Sequence, residues 1–113
     1  MPKRCVIIDD DSVWIQMLER YIRLNENLEL VDTFTSAQAA LDDLDSSIDL
    51  IVLNVEMPGM NGFEFLDQLN QMPNVIFISS NENYRDQSYQ YGAIDFLLKP
   101  IRQSEFDQAV AHL

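Results

Sequence analysis

The sequence predicts an α/β fold: five strands alternating with five helices as (βα)5, wound into one doubly wound, five-stranded parallel sheet with strand order 2-1-3-4-5. Three observations predict it. Short apolar runs rich in β-branched residues recur along the chain, nearly every one ends on a polar residue, and amphipathic stretches with helical spacing separate them. Continuous apolar strands suit a parallel sheet covered on both faces. Right-handed crossovers between successive strands then set the winding.

The elements follow in order. Residues 5–8 (Cys, Val, Ile, Ile) form the first run and stop at Asp9. Ser12 is placed to cap a first helix whose apolar residues are Val13, Met17, Leu18, Tyr21 and Ile22. Residues 28–34 alternate apolar with polar and so belong near a sheet edge. Ser36 caps a second helix carrying Ala37, Ala40, Leu41 and Leu44. Residues 48–53 form the next strand and stop at Asn54. Phe63, Leu66 and Leu69 mark a third helix, which Pro73 stops. Residues 75–78 stop at Ser79, and residues 94–98 stop at Lys99. Between those two runs, residues 82–91 carry the weakest helical pattern, with Tyr84, Tyr89 and Tyr91 as the large side chains. Ser104 is placed to cap a last helix bearing Phe106, Ala109 and Val110.

Composition narrows the function. The 113 residues fit one domain. A net charge of −12 repels phosphate backbones and anionic lipid, so the chain is not expected to contact nucleic acid or a membrane surface directly. Its acids suit a solvated surface, metal cations or basic partners. Cys5 is the single cysteine, which excludes an internal disulfide, and its apolar setting reads as a buried, inert thiol. The N-terminus has no secretory apolar region, and no run approaches the ~18 apolar residues of a membrane span. A cytoplasmic location is expected.

The functional signal is where the polar residues fall. Asp9 and Asp10 follow strand 1, Asn54 strand 3, Ser79 strand 4 and Lys99 strand 5. In an open parallel sheet the ligand crevice lies at the C-terminal strand ends, where strand order reverses. That point lies between strands 1 and 3, so residues spread from 9 to 99 become one pocket. Adjacent carboxylates suit Mg²⁺, and a hydroxyl with an ammonium suits an incoming phosphoryl oxygen. The chemistry is metal-assisted phosphoryl transfer to a carboxylate, with the carboxylate nucleophile missing.

Four segments carry a family resemblance: residues 6–11, residues 49–62 with Met57, Pro58, Gly59, Met60, Asn61 and Gly62, residues 75–80, and residues 93–100 with Lys99 and Pro100. Together they resemble the receiver domains of two-component response regulators, whose fold is flavodoxin-like, as in CheY. The last segment is also similar to receivers of the LytTR class, which precede a DNA-binding effector domain. The resemblance implies that Asp10 ligates Mg²⁺, with Asp9 acting mostly through water and the Glu56 backbone carbonyl as a further ligand; position 54 also belongs to the metal site. Ser79 would turn inward to the phosphoryl group, Lys99 would pair with it, and Phe96 would be an aromatic switch moving with Ser79. A cis Lys99–Pro100 peptide is implied too. So are a sensor histidine kinase as phosphoryl donor and an output surface on helix 4, strand 5 and helix 5 that serves dimerisation or an attached effector domain. Such a domain is a switch and not, in the usual sense, an enzyme.

Three positions depart from the family. Asn54 stands where the phosphorylated aspartate is expected, Asn61 replaces a common loop aspartate, and Ser80 stands where alanine is usual. A neutral amide is a very poor nucleophile toward phosphorus, so phosphorylation is expected to be blocked and Mg²⁺ binding weakened. Either an engineered substitution or a natural receiver that works without phosphorylation accounts for the residue. The short last helix, ending near Leu113, suggests a domain cut from a longer protein with a C-terminal effector; a single-domain regulator is the other possibility.

Other readings compete. Asp9, Asp10 and Asp11 resemble the loop of haloacid-dehalogenase-type, Mg²⁺-dependent phosphohydrolases, with Asp9 as nucleophile and Asp11 as acid–base, but the chain lacks room for the usual cap. A flavodoxin-like FMN site would need hydroxyls and glycines where these acids stand. Trp14 is read as core, or as half-exposed near the pocket. Phe96 also serves as core. Tyr84, Tyr89 and Tyr91 form a partner-binding face or cover the sheet; the lack of an apolar stripe favours a face. His112 has no assigned role.

Overall fold

A computed structural model describes residues 1–113. The elements run β1 (Lys3–Ile8), α1 (Ser12–Arg23), β2 (Leu28–Phe34), α2 (Ala37–Asp43), β3 (Leu50–Asn54), α3 (Gly62–Asp67), β4 (Asn74–Ser79), α4 (Arg85–Gln90), β5 (Asp95–Leu98) and α5 (Gln103–Val110), with a 3-10 turn at Glu82–Tyr84 leading into α4. The five strands form one parallel sheet in the order β2-β1-β3-β4-β5, as the sequence predicts.

Strand alternation builds two cores, one on each face. Val6, Ile8, Ile51, Leu53 and Phe77 point to one side and pack with Ala37, Ala40, Phe63, Phe65 and Phe96. Cys5, Ile7, Val52, Ile76 and Ile78 point to the other and meet Ile15, Leu18 and Ile22 of α1 and Phe106 and Ala109 of α5. The alternating β2 is at the sheet edge, as expected.

Several local expectations differ from the structure. Asp11, not Ser12, caps α1: its side chain accepts from the Val13 amide at 2.9 Å, and Ser12 is the first helical residue. Leu18 and Ile22 of α1 are buried as expected, but Ile15 completes that face, whereas Val13 is 61% and Met17 37% exposed. A helix advances about 100° per residue, and docking on the sheet selects the stripe one step round from the predicted one. Ser104 lies inside α5; the Arg102 amide instead donates to the Glu105 carboxylate at 2.9 Å. α3 ends at Asp67, short of Leu69 and well before Pro73. Ser36 caps α2 as expected, accepting from the Ala39 amide at 3.1 Å.

Candidate functional site

The pocket is assembled at the C-terminal ends of β1, β3, β4 and β5. Asp9 follows β1 and is fully buried; Asp10 beside it is exposed. Asn54 is the last residue of β3 and only 6% exposed. Ser79 is the last residue of β4, and Lys99 follows β5. The Lys99 backbone N–H donates to the Ser79 carbonyl at 2.8 Å, which ties the last two strand ends together. The Lys99–Pro100 peptide is cis, as the resemblance implies.

The side chains form a closed polar circuit. Lys99 Nζ donates to Asp9 Oδ2 at 2.9 Å and to Asn54 Oδ1 at 3.3 Å. Asp9 Oδ1 accepts from the Asp11 backbone N–H at 2.9 Å. Asn54 Nδ2 donates to Asp10 Oδ1 at 3.2 Å and to the Glu56 carbonyl oxygen at 2.7 Å. Only one amide orientation satisfies this circuit. Reversal would set the NH2 against the Lys99 ammonium and the oxygen against a carboxylate and a carbonyl. Burial pushes the Asp9 carboxyl above its ordinary pKa, opposed by the Lys99 hydrogen bond and the Asp11 amide.

Lys99 has a further neighbour. Its ammonium lies 5.4 Å from the centre of the Trp14 ring, within cation–π range. Trp14 is thus half-exposed at the pocket while also packed against the α1 core. Ser79 is buried, and its hydroxyl accepts from the Asn81 backbone N–H at 2.9 Å; it makes no hydrogen bond to Asn54 or Lys99. The structure therefore joins Asp9, Asp10, Asn54, Glu56 and Lys99 directly and leaves Ser79 at their edge.

The loop after β3 shapes the rim. Glu56, Met57, Pro58, Asn61 and Tyr84 line an open hollow of about 340 Å³. Gly59 turns this loop at a φ of 81°, which an L side chain rarely adopts. Asn61 caps α3: its side chain accepts from the Glu64 amide, and the Glu64 carboxylate accepts from the Asn61 backbone N–H.

Phe96 is 1% exposed and belongs to the core. The Arg85 guanidinium covers it, 4.8 Å from the ring centre, and is ion-paired with Glu82. The sequence reading missed this cover; the spacing of Glu82 and Arg85 signals their ion pair but not the contact with Phe96. The tyrosines divide their roles. Tyr84 and Tyr91 pack on Phe63 and cover the sheet, whereas Tyr89 is 45% exposed and donates to Asp95.

Could these residues hold Mg²⁺ as they stand? The ion needs several oxygen ligands at close range. No three His, Cys, Asp or Glu side chains are gathered for a metal. Of the five oxygens offered by Asp9, Asp10 and the Glu56 carbonyl, four already accept hydrogen bonds within the protein. In this arrangement the donor set does not fit the ion.

A 2-1-3-4-5 sheet with acids after its first strand and a lysine after its last, closing one polar pocket, defines a receiver-type signalling domain. The chain belongs to the response regulator receiver domain family, whose model matches residues 5–111. It is therefore a receiver domain of the two-component type, a module of phosphorelay signalling. It is 35% identical to the transcriptional regulatory protein MalR of Bacillus subtilis over 94% of this chain and 48% of that protein. It is 32% identical to the sensory transduction protein LytR of Streptococcus mutans, over 94% of this chain and 46% of that one. The response regulatory domain of MrkE from Klebsiella pneumoniae has the same fold, with a TM-score of 0.87, 23% identity, and 97% and 93% of the two chains covered. The chain thus spans about half the length of these two curated relatives. Nothing in these likenesses supports a phosphohydrolase. Asp11, its required acid–base, is an exposed helix cap.

Proposed function

We propose that this domain is a receiver in which phosphoryl transfer is stopped at its first chemical step. The observation that carries the reading is Asn54, which occupies the end of β3 between Asp10 and Lys99, where the resemblance places the acceptor aspartate. Its amide nitrogen lone pair is delocalised, its oxygen is neutral, and neither attacks phosphorus as a carboxylate does. Asp9 positions Lys99, and Lys99 and Ser79 supply the donors that an incoming phosphoryl oxygen would meet. Phe96 takes the switch role. In the family at large, Asp9, Asp10, position 54 and the Glu56 carbonyl are the Mg²⁺ region.

The domain works by binding and not by turnover. Its partners are a sensor histidine kinase and its own C-terminal effector, of the LytTR DNA-binding type, with a homodimer through α4, β5 and α5 as a further output. Residues 1–113 are the receiver portion of such a protein, acting in the cytoplasm. Two features support this reading: the relatives include a transcriptional regulatory protein and a sensory transduction protein, and no helix is long and apolar enough to cross a membrane.

The test restores the carboxylate. Asn54→Asp incubated with acetyl phosphate and Mg²⁺ should gain the mass of one phosphoryl group per chain, and the asparagine form should gain none. A restored protein that stays unmodified sinks the receiver chemistry; modification of the asparagine form sinks the account of position 54.

A further inference from the structure

We infer that the Asn54 amide stands in for the cation of the receiver pocket, so that this domain keeps its site closed without metal and excludes Mg²⁺ by occupancy. The inference rests on the receiver reading and concerns how the same site is held. A carboxylate at position 54 would turn an oxygen toward Asp10 Oδ1 and the Glu56 carbonyl, and three electron-rich groups would then need a cation between them. The amide turns two N–H donors toward those same oxygens, at 3.2 and 2.7 Å. It thereby supplies the positive end of a dipole where the ion's charge would otherwise lie.

The rest of the circuit reinforces this. Lys99 holds both Asp9 Oδ2 and Asn54 Oδ1, and the Asp11 amide holds Asp9 Oδ1. Mg²⁺ entering at Asp10 and Glu56 must break both bonds from Nδ2. Turning the amide to offer its oxygen to the metal points the NH2 at the Lys99 ammonium, so rotation relieves nothing. Lost charge is one reason for weak metal binding. Occupancy by the amide is a second, separable one.

Separation is possible because Asn54→Ala is as neutral as asparagine but carries no donor. Three proteins, the unsubstituted domain, Asn54→Asp and Asn54→Ala, are titrated with Mg²⁺ against an EDTA baseline. Trp14, the single tryptophan, lies beside Lys99 and reports the pocket by fluorescence. Thermal unfolding gives an independent readout. The aspartate form should bind Mg²⁺ at least about 100-fold more tightly than the unsubstituted domain. Its midpoint should rise by roughly 5 °C in about 10 mM Mg²⁺, while that of the asparagine form stays within about 1 °C of its EDTA value. The alanine form should bind about fivefold more tightly than the asparagine form, because no amide has to be displaced.

Equal, weak binding by the alanine and asparagine forms overturns the inference, since lost charge then explains everything. Binding by the asparagine form as tight as by the aspartate form overturns it too and leaves the receiver reading standing. If the aspartate form also ignores Mg²⁺, the inference falls together with the reading of this pocket as a receiver site.

Discussion

Asp9 is fully buried, and the Lys99 side chain beside it is 8% exposed; the other ion pairs of the molecule lie on its surface. Breaking a buried pair from one side leaves an uncompensated charge and costs far more than the pair itself contributes. Lys99→Met keeps the side chain's length and removes its charge. Urea unfolding at neutral pH should show a loss of about 3–5 kcal/mol. A loss below about 1 kcal/mol, the range of exposed pairs, would mean that water already reaches Asp9. These residues were legible in the sequence because each is the polar residue that ends an apolar run. Trp14 was legible only as core or as a residue near the pocket; its contact with Lys99, and that of Arg85 with Phe96, were not. Those contacts depend on where α1 and α4 dock, which no local pattern encodes.

Elements carry the next level of constraint, and α3 shows it most sharply. Gly62 opens the helix, and its N–H donates to the Val55 carbonyl at 2.8 Å. A Cβ there would sit 2.6 Å from the Asn54 backbone oxygen and 3.2 Å from Leu53 and Phe77 side-chain carbons. The nearest atom is backbone in the central strand, so it cannot swing aside. Gly62→Ala should destabilise by about 1–3 kcal/mol, or somewhat more, through overpacking. Because the clash is with residue 54 itself, Trp14 emission should shift as well. A stability within about 0.5 kcal/mol of the parent would show that α3 slides freely on β3. Strand existence and order were readable because a buried parallel strand announces itself as a continuous apolar run. Helix starts were less readable where hydroxyl and carboxylate candidates lie side by side. Asp11 and Ser12 both suit a cap, and the backbone of the preceding loop decided for Asp11. The polar stretch 82–91 became a 3-10 turn and a short helix whose cover comes from aromatic rings, a pattern that charge and hydropathy hide.

At the scale of the whole molecule, the sheet is sealed on both faces, and β1 is flanked by β2 and β3. Cys5 lies in that strand, fully buried in the α1–α5 core, as its apolar surroundings in the sequence foretold. Burial pushes its thiol up from 9.0 to about 12, so thiolate is scarce even in mild alkali. The same burial denies a reagent access. Reaction with a thiol-specific disulfide reagent should therefore need β1 to open, and opening β1 exposes both cores at once. Native protein should remain unlabelled from about pH 7 to about pH 9, where an exposed thiol reacts readily. In rising urea, the labelling rate should follow the global unfolding equilibrium with the same denaturant slope. Fast labelling without denaturant, or a slope well below the global one, would show that β1 frays from the sheet on its own. The strand that presents Asp9 to the pocket would then be a locally unstable element and not the centre of the cooperative fold.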